Sequence, residues 1–491
     1  MDNNPLRLVV PMALISGLIS SCMVGPNYVR PKVVVPPEFK EVKAHKVWRP
    51  IKPQDLEKRG PWWSIFNDPL LNRLEEQLNL YNQDIAQAEA NYRQALAIVD
   101  EARANLFPTV IGSASVYRQK QGGGTTSFIS STDGTTTTNI ANSNTILARA
   151  PTTTVYSTVL NATWEPDVWG LVRRTIEANL ATAQSDAALV EVTRLSAQSS
   201  LAQYYFELRT LDADQLLLEE TVNANKKLLQ LTRHQYVAGV VSRSDVIQAQ
   251  TQLETAQSQS INNGILRGQY EHAIAMLMGR PPAYLSIKRK PYRFNVPVIP
   301  LEVPSFWLER RPDIAQAERL VQNASATIGI AVAAYYPSLT LTGSASAAGR
   351  SLHQLIHTPA LGWSTGMQLA QTLFDGGLRK ATVSAAKDAY ISKVAAYRQT
   401  VLIAFQDVED NLIALRLLRQ QSKVQQQAAA HAQEALRLMV NQYKAGVIPF
   451  ANVVTAQITA YTAQKTANDV KGLQMTAAVG LIKALGGGWI K

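Results

Sequence analysis

Two long stretches of the sequence contain neither glycine nor proline, and they constrain the fold more than any other feature. They cover residues 171–238 and residues 378–445. Because the two main helix-breaking residues are missing, each stretch is predicted to form one α-helix. At 1.5 Å per residue each helix is on the order of 100 Å long. A globular core does not need helices of that length, so the sequence predicts an elongated helical protein.

A motif at the end of each long stretch shows that the chain is internally duplicated. The sequence reads QYVAGVVSRSDV from Gln235 and QYKAGVIPFANV from Gln442, with six of the twelve positions identical. In each copy the motif is expected to be a turn, after which a second long helix runs back along the first. A repeat of this kind decides the whole architecture, and here it predicts two equivalent helical hairpins.

Each half also contains two segments in which apolar and polar residues alternate, as in a β-strand with one apolar face. In the first half, TVYSTVLNATW places Tyr156, Leu160 and Trp164 on one face. In the second half, SLTLTGSASA and WSTGMQLAQTL alternate in the same way. The predicted order in each half is therefore helix, β-hairpin, long helix, turn and long helix, with a long polar loop in the first hairpin.

The four predicted strands have about ten residues each, which is the length that crosses a bilayer when a strand is tilted. Four strands cannot close into a membrane barrel, because such barrels begin at about eight strands. We therefore expect the chain to pool its strands with other copies. Two copies would give about eight strands with an interior filled by side chains, whereas three would give about twelve strands and begin to leave a lumen. Aromatic residues near the strand ends form either an interfacial girdle or ordinary sheet packing: Tyr117, Tyr156, Trp164 and Trp363.

The N-terminal segment is typical of an exported protein. Residues 8–20 form an apolar run with Arg7 just before it, and small residues precede Cys22. The run is too short to span a membrane and indicates a signal peptide. The residues before Cys22 are similar to a bacterial lipobox, in which the cysteine is acylated; a signal peptide that merely contains a cysteine is the alternative. No later stretch of about 18 apolar residues follows, so any membrane span is expected to be built from strands.

Composition and short motifs argue against several other functions. The net charge is +11, but lysine and arginine are scattered rather than concentrated in the basic stripe that nucleic acid requires. The GWSTG motif around Ser364 opens a strand, whereas a nucleophilic serine lies between a strand and a helix. The HQLIH motif with His353 and His357 lacks the glutamate of a zinc site. We therefore predict no enzyme activity, no cofactor and no metal.

Four segments together resemble the TolC-like outer membrane factors of tripartite efflux pumps, specifically the NodT-type outer membrane lipoproteins. They are CMVGPNYVRPKVVVPPEF, WWSIFNDPLLNRL, LERRPDIAQAERLVQNASATIGIAVAAYYPSLTLTGSAS and the doubled QY-x-AGV. The resemblance implies a mainly α protein with membrane β structure: a trimeric α/β-barrel channel. Each protomer would give four strands to a 12-stranded outer membrane barrel and long helices to a 12-helix periplasmic tunnel.

The resemblance also implies a function, partners and a location. The channel would pass drugs, dyes, detergents and other toxic small molecules to the outside and so contribute to multidrug resistance. Its partners would be two further copies of the chain, a periplasmic membrane-fusion adaptor and an inner-membrane pump of the resistance-nodulation-division class. The protein would sit in the cell outer membrane, anchored by lipid on Cys22.

The expected organisation of the chain follows from the repeat and the resemblance. A signal peptide (1–21) and a lipid-anchored tether (22–60) precede the first repeat (61–280), with a helix, a β-hairpin (108–165) and a helical hairpin (170–280). A linker (281–311) lies in an equatorial belt around the tunnel. The second repeat (312–491) has a helix, a β-hairpin (337–373) and a helical hairpin (376–485).

The resemblance places the functional residues at the two helical turns. Adaptor docking falls on six residues, which are Ala238, Gly239, Val240, Ala445, Gly446 and Val447. The periplasmic gate falls on Asp245, Tyr443, Asn452 and Thr455.

The second turn departs from the pattern of the family. Asn452 and Thr455 stand where relatives have carboxylates, and Ile448 stands where some relatives have a cation. We therefore expect no ring of aspartates at the constriction, no strong cation selectivity, and a gate that acts sterically. Asp245 has a second interpretation, since it could simply cap the start of a helix.

Two alternatives to drug efflux stay open at this point. The same channel could serve a type I protein secretion system, which the sequence does not distinguish from small-molecule efflux. A trimeric surface adhesin also has long helices and β segments, but it predicts heptads and one terminal barrel unit, whereas this chain has two equivalent units.

Overall fold

The structure, a computed structural model, describes residues 23–36, 39–41, 60–120, 152–292, 294–297, 299 and 310–487. The chain divides into two compact units. The strand unit is made of the described parts of residues 1–26, 100–176 and 327–385. The helical unit is made of the described parts of residues 27–99, 177–326 and 386–491.

Eight α-helices lie within the described residues. They are α1 (Pro69–Tyr81), α2 (Gln83–Ala104), α3 (Leu171–Val237), α4 (Arg243–Leu277), α5 (Pro312–Ala333), α6 (Leu352–His357), α7 (Leu378–Lys444) and α8 (Phe450–Ala484), with short 3-10 helices at Trp62–Phe66 and Pro282–Tyr284. The two longest, α3 and α7, have 67 residues each, and the helices that follow them, α4 and α8, have 35 each. None of the described helices is both long enough and apolar enough to cross a membrane.

The strand unit contains one antiparallel sheet of four strands in chain order. The strands are β1 (Thr109–Lys120), β2 (Thr152–Trp164), β3 (Ser338–Gly349) and β4 (Ala360–Ala370). Each half supplies one hairpin, and β2 pairs with β3 to join the two. The outer edges of β1 and β4 have no partner strand among the described residues.

One face of the sheet is mainly apolar, and the other is rich in serine and threonine. Leu160 lies opposite Ala345, and Ala345 lies opposite Trp363, so these side chains share the apolar face. On the other face the hydroxyl oxygens of Ser115 and Ser157 lie 2.8 Å apart. The alternation in the sequence therefore predicts the two faces correctly.

The prediction of a single first helix is wrong, because Asn82 divides it. The Asn82 backbone is extended, with φ −65° and ψ 126°, and ends α1. Its side-chain oxygen accepts a hydrogen bond from the Ile85 amide at 3.0 Å, as an N-cap does for α2. Its side-chain nitrogen donates to the Leu277 carbonyl oxygen at 2.7 Å. Both halves of the Asn82 amide are thus used, which stabilises a break that hydrophobic periodicity does not show.

The described part of the N-terminal tether has no helix or strand, yet it is packed against the helical unit. The Tyr28 hydroxyl donates to Glu318 at 3.0 Å. The backbone amides of Lys40 and Glu41 donate to the two carboxylate oxygens of Glu409, at 2.6 and 3.2 Å. The described part of the tether is therefore held against the helical unit by these hydrogen bonds. Cys22 itself lies outside the described residues, as does the first hairpin loop.

The first, described part of the linker between the halves is held by a buried ion network. Arg267 on α4 donates to Asp212 on α3 at 2.7 Å and to Glu271 at 2.7 Å. It also donates to the Ile287 carbonyl oxygen at 2.5 Å, while the Ile287 amide donates to Glu271 at 2.5 Å. Each charge in this network has a partner, as burial requires.

The ERRPDI motif positions the second half of the helical unit. Arg311 donates to both oxygens of Asp313, at 3.1 and 2.7 Å, in the two-pronged geometry that suits a carboxylate. It also donates to the carbonyl oxygen of Ala484, the last residue of α8, at 2.9 Å, and to Asp407 on α7 at 3.2 Å. One buried arginine thus joins the start of α5, the middle of α7 and the end of α8.

Candidate functional site: the helical turns

The two predicted docking turns have the same backbone structure. Val240 donates its amide to the Gln235 carbonyl oxygen at 2.8 Å, and Gly239 donates to Tyr236 at 3.0 Å. This pair of bonds is a Schellman motif, which ends a helix by satisfying its last carbonyl groups. The φ angle of Gly239 is +72°, in the left-handed region that favours glycine.

The second turn repeats this geometry bond for bond. Val447 donates to Gln442 at 3.0 Å and Gly446 donates to Tyr443 at 2.9 Å, with φ +76° at Gly446. The doubled QY-x-AGV therefore ends a helix in both copies. The glycine in the motif is the sequence signal that predicts this helix end. The exposed residues of the two turns include all six predicted docking positions, namely Ala238, Gly239, Val240, Ala445, Gly446 and Val447.

Asp245 forms a capping box at the start of α4. Ser242 accepts a hydrogen bond from the Asp245 amide at 3.3 Å, and Asp245 accepts one from the Ser242 amide at 3.0 Å. The Ser242 hydroxyl also donates to the Asp245 carboxylate at 2.8 Å. The carboxylate lies in the first turn, where the helix dipole favours negative charge. The capping interpretation of Asp245 is therefore confirmed, and its role in gating stays a prediction.

Tyr443 is buried in the contact between the two helical hairpins. Only 2% of its surface is exposed, whereas Tyr236, at the same position of the first motif, is 45% exposed. The Tyr443 ring meets Phe450 edge to face, with the ring centres 5.4 Å apart. Burial raises the pKa of the Tyr443 hydroxyl, and the nearby negative charge of Asp245 raises it further. The hydroxyl therefore stays protonated at neutral pH.

An apolar cluster joins all four long helices next to the turns. Its buried members on the first half are Leu229, Ala249 and Leu253. Its buried members on the second half are Tyr443, Phe450 and Val453. The structure thus brings the two turns of one chain into one packed end of the helical unit.

Asn452 and Thr455 lie on the exposed side of α8, next to this cluster. Both side chains are exposed, and the Thr455 hydroxyl donates back to the Ala451 carbonyl oxygen at 3.1 Å. Neither residue carries a charge, so the face that α8 presents here is polar and neutral. The structure does not bring Asn452 and Thr455 together with Tyr443 in the buried cluster.

Two buried polar contacts between the halves were not predicted from the sequence. The Gln457 amide on α8 donates to Asn225 on α3, and Asn225 donates to the Gln252 carbonyl oxygen on α4 at 3.2 Å. Asn225 and Gln457 are both buried. In an alanine-rich and glutamine-rich sequence, no pattern distinguishes these two amides from the many exposed ones.

The second contact is an ion pair further along the same helices. Asp214 on α3 accepts a hydrogen bond from Asn468 at 3.1 Å and lies 3.4 Å from the Lys465 nitrogen, both on α8. Burial raises the pKa of Asp214, while the charge of Lys465 opposes the shift. These polar links fix the alignment of α3 against α8, because a shift along the helix axis would leave buried groups unpaired.

The short motifs that suggest enzymes lie in the sheet and in a short helix beside it. Ser364 lies within β4, and its hydroxyl oxygen is 2.9 Å from that of Ser344 on β3. His353 and His357 lie on the short helix α6 between β3 and β4, with ring centres 4.4 Å apart. Among the described residues, no group of three His, Cys, Asp or Glu side chains is placed to hold a metal ion.

Comparisons with known proteins agree with this architecture over nearly the whole chain. The sequence is 29% identical over 489 residues to the toluene efflux pump outer membrane protein TtgC of Pseudomonas putida, covering 98% of this chain and 96% of the relative. It is 27% identical to nodulation protein T of Rhizobium leguminosarum bv. trifolii over 453 residues, covering 90% and 89%. The open-state crystal structure of the Neisseria gonorrhoeae MtrE outer membrane channel matches with a TM-score of 0.78 and 26% identity, covering 95% of this chain and 98% of that one.

The four-stranded sheet and the two long helical hairpins define the protomer of an outer membrane channel. The chain matches the outer membrane efflux protein family over residues 74–280 and 303–487 and belongs to that family. The expected fold class, the two repeats and the function as an outer membrane channel in efflux are thereby confirmed. Members of this family are transport proteins and not enzymes, and the adhesin alternative is excluded.

Proposed function

We propose that three copies of the chain form the outer membrane channel of a tripartite pump that exports small apolar or amphipathic toxic molecules. The observation that carries this proposal is the match to a toluene efflux component over 98% of the chain, including both halves and both helical turns. Drugs, dyes and detergents resemble toluene in having apolar surface. Such molecules enter a membrane, from which a pump would extract them. The match to a small-molecule exporter favours this cargo over a secreted protein.

The trimer is supported by the two free edges of the sheet. Among the described residues neither β1 nor β4 has a partner strand on its outer side, and an unpaired edge in a membrane would leave backbone polar groups without partners. Three copies would close twelve strands into one sheet, with the apolar face towards lipid and the serine-rich face towards the lumen. The long helices would continue as a tunnel in the periplasm.

Acylation of Cys22 is supported by the residues that follow it. The Val24 amide donates to the Trp169 carbonyl oxygen at 3.2 Å, and Arg174 donates to the Val24 carbonyl oxygen at 3.1 Å. Gly25 packs so closely on Gly329 that a Cβ atom at Gly25 would lie 2.5 Å from the Cα atom of Gly329. The chain is thus fixed to the strand unit within three residues of Cys22, where a membrane anchor belongs. Loss of palmitate labelling in Cys22→Ser is the expected check.

The helical turns are the proposed docking surface for a periplasmic adaptor, which in turn would bind an inner-membrane pump of the resistance-nodulation-division class. They present small and aliphatic side chains on a backbone that is held rigid by the Schellman bonds. Val240→Asp combined with Val447→Asp is expected to abolish co-purification of the adaptor while the trimer remains intact. Loss of the trimer as well would indicate a role in assembly.

The proposed gate is steric and carries no carboxylate ring. Tyr443 holds the two helical hairpins of each copy together, Asp245 caps α4 beside it, and Asn452 and Thr455 present neutral side chains. A neutral constriction gives little preference for cations over anions.

The function is tested by deleting the gene from its host and measuring sensitivity to toluene, dyes, detergents and antibiotics. We expect the deletion strain to become more sensitive to several of these compounds, and the returned gene to restore resistance. Unchanged sensitivity to all of them, with a secreted protein lost from the medium, would favour protein secretion instead.

A further inference from the structure

The second hairpin of the sheet turns through a short helix that carries two histidines. That helix, α6, lies between the end of β3 at Gly349 and the start of β4 at Ala360. His353 and His357 are four positions apart on α6, and residues at that spacing lie on the same face of a helix. Their ring centres are 4.4 Å apart, so the two imidazoles are already adjacent.

Several contacts hold α6 in place, although its six residues are too few for a stable isolated helix. The Ser351 hydroxyl oxygen accepts a hydrogen bond from the Gln354 amide at 3.2 Å. The Gln354 side-chain oxygen accepts one from the Arg350 amide at 3.0 Å. The helix also approaches β3 so closely that a Cβ atom at Gly349 would lie 2.7 Å from the Leu355 nitrogen. The two histidines therefore stand on a preformed scaffold.

The imidazoles of His353 and His357 are available to a ligand. Both side chains are exposed, and neither ring makes a hydrogen bond within the part of the chain that the structure describes. No aspartate, glutamate, lysine or arginine occurs in residues 351–374. This segment therefore offers a ligand two nitrogen donors and no carboxylate.

The spacing of the pair is that of the H-E-x-x-H motif, in which two histidines on one helical face bind zinc. The glutamate of that motif is the general base and not a ligand. Gln354 stands in its place here, which removes the hydrolytic chemistry and leaves both ligands. The expectation of no metal in this motif rests on the missing glutamate, which a binding site does not need.

The chemistry of the donors selects the class of metal ion. Imidazole suits copper, nickel and zinc, whereas magnesium and calcium require oxygen ligands. A metal ion bound to an imidazole nitrogen at about 2.0–2.1 Å lies about 3.2 Å from the ring centre. Ring centres 4.4 Å apart then meet one ion at about 90°, as in the square-planar sites of Cu²⁺ and Ni²⁺, and not at the wider tetrahedral angle of zinc. Of the divalent ions in this row, Cu²⁺ binds a nitrogen site most tightly.

We propose that His353 and His357 form a binding site for Cu²⁺, which also accepts Ni²⁺ more weakly. The two imidazoles would occupy adjacent positions around the ion, and water would fill the others. The bound ion would join the two ends of α6 and so stabilise the turn of the hairpin. This inference goes beyond the proposed export function and does not depend on it, because the purified chain alone should bind the ion.

Titration of the untagged full-length protein in detergent with copper sulfate tests the site, with the heat of binding as the readout. The tightest binding should saturate at one Cu²⁺ per chain. His353→Gln and His357→Gln should each weaken it about tenfold or more, because one imidazole lacks the gain from two linked ligands. His431→Gln, at an exposed histidine on α7, is the matched control and should bind Cu²⁺ as the wild type does.

A variant of unchanged composition separates the spacing of the pair from the number of histidines. His357→Thr combined with Thr358→His moves one imidazole out of the helix to its C-cap and should weaken binding as the single variants do. Electron paramagnetic resonance of the bound Cu²⁺ should show two coordinated nitrogens in the wild type and one in His353→Gln. Equal Cu²⁺ affinity of the wild type, both single variants and the spacing variant, or one nitrogen in the wild-type spectrum, would overturn the site.

Discussion

Tyr443 and Thr232 join the second helical turn to the long helix of the first half, with their hydroxyl oxygens 3.1 Å apart. Thr232 also lies 2.9 Å from the Leu228 carbonyl oxygen, to which it donates. Its hydrogen is therefore used, so the Tyr443 hydroxyl is the donor in the contact between the halves. The bond lies in the apolar cluster next to the turns and holds the two hairpins of one copy together.

Tyr443→Phe is expected to loosen this end of the channel. The substitution removes one buried hydrogen bond and leaves Thr232 without its donor, at a cost of about 1 kcal/mol. In planar bilayers the resting conductance of the purified channel should rise several-fold. Tyr236→Phe is the matched control, because that tyrosine occupies the same motif position and is half exposed. Equal effects from both substitutions would show that Tyr443 has no special part in closing the channel.

Asp245 should act mainly through its capping box. Ser242→Ala removes the hydroxyl that bonds the Asp245 amide, and Asp245→Ala removes the reciprocal bond to the Ser242 amide. Each loss should cost about 1 kcal/mol at the start of α4. The two variants should therefore lower the thermal midpoint by similar amounts. Asp245→Asn keeps an acceptor and removes the charge. Because Asp245 acts mainly as a cap, the ion selectivity of this variant channel should stay close to that of the wild type. A large change in selectivity with unchanged stability would assign Asp245 to the gate.

Thr455→Asp should create the carboxylate ring that this chain lacks. Thr455 is exposed on α8 and its hydroxyl contacts only its own helix among the described residues. One aspartate per copy would place three negative charges at the proposed constriction. The variant should become cation-selective and be blocked by multivalent cations at concentrations that leave the wild type unaffected. Strong block of the wild type at those concentrations would contradict a neutral gate.

Glu75 makes stability depend on pH in an unusual direction. Its side chain is fully buried on α1, and both carboxylate oxygens lack a hydrogen-bond partner among the described residues. Burial raises the pKa of Glu75 well above its ordinary value of 4.5. The folded state therefore holds a proton that the unfolded state releases, so the free energy of unfolding falls as the pH rises from 4.5 towards the raised pKa.

Glu75→Met should remove this penalty and stabilise the protein at neutral pH. The gain should be about 1–3 kcal/mol, the usual cost of a buried polar group without a partner. It should shrink as the pH falls below 4.5, where the wild-type carboxyl becomes protonated in both states. Thermal unfolding of both proteins across this pH range measures the difference. Glu76→Met, at an exposed neighbour, should change neither the midpoint nor its pH dependence.

Helices and strands could be predicted because their signals are local. The absence of glycine and proline gives α3 and α7 to within a residue or two, and alternation gives the strands and their faces. The break at Asn82 could not be predicted, because it depends on a hydrogen bond to Leu277, which is far away in the sequence. Periodicity continues across such a break and carries no sign of it.

The candidate site could likewise be predicted from the sequence only in part. The turns at Gly239 and Gly446 follow from the sequence, since a Schellman motif needs its glycine. The unequal roles of Tyr236 and Tyr443 do not follow from it, because the two residues share one motif and differ only in what packs on them. Phe450 and Thr232 bury Tyr443, and both belong to other elements.

The most direct test of the account is the rate at which a fluorescent apolar dye leaves preloaded, energised cells of the native host. Cells that carry the wild-type gene should export the dye several-fold faster than deletion cells, and the returned gene should restore the rate. Val240→Asp combined with Val447→Asp should export no faster than the deletion, although its trimer remains in the outer membrane. Equal export rates with and without the gene, for every dye that the host expels, would contradict a role in efflux.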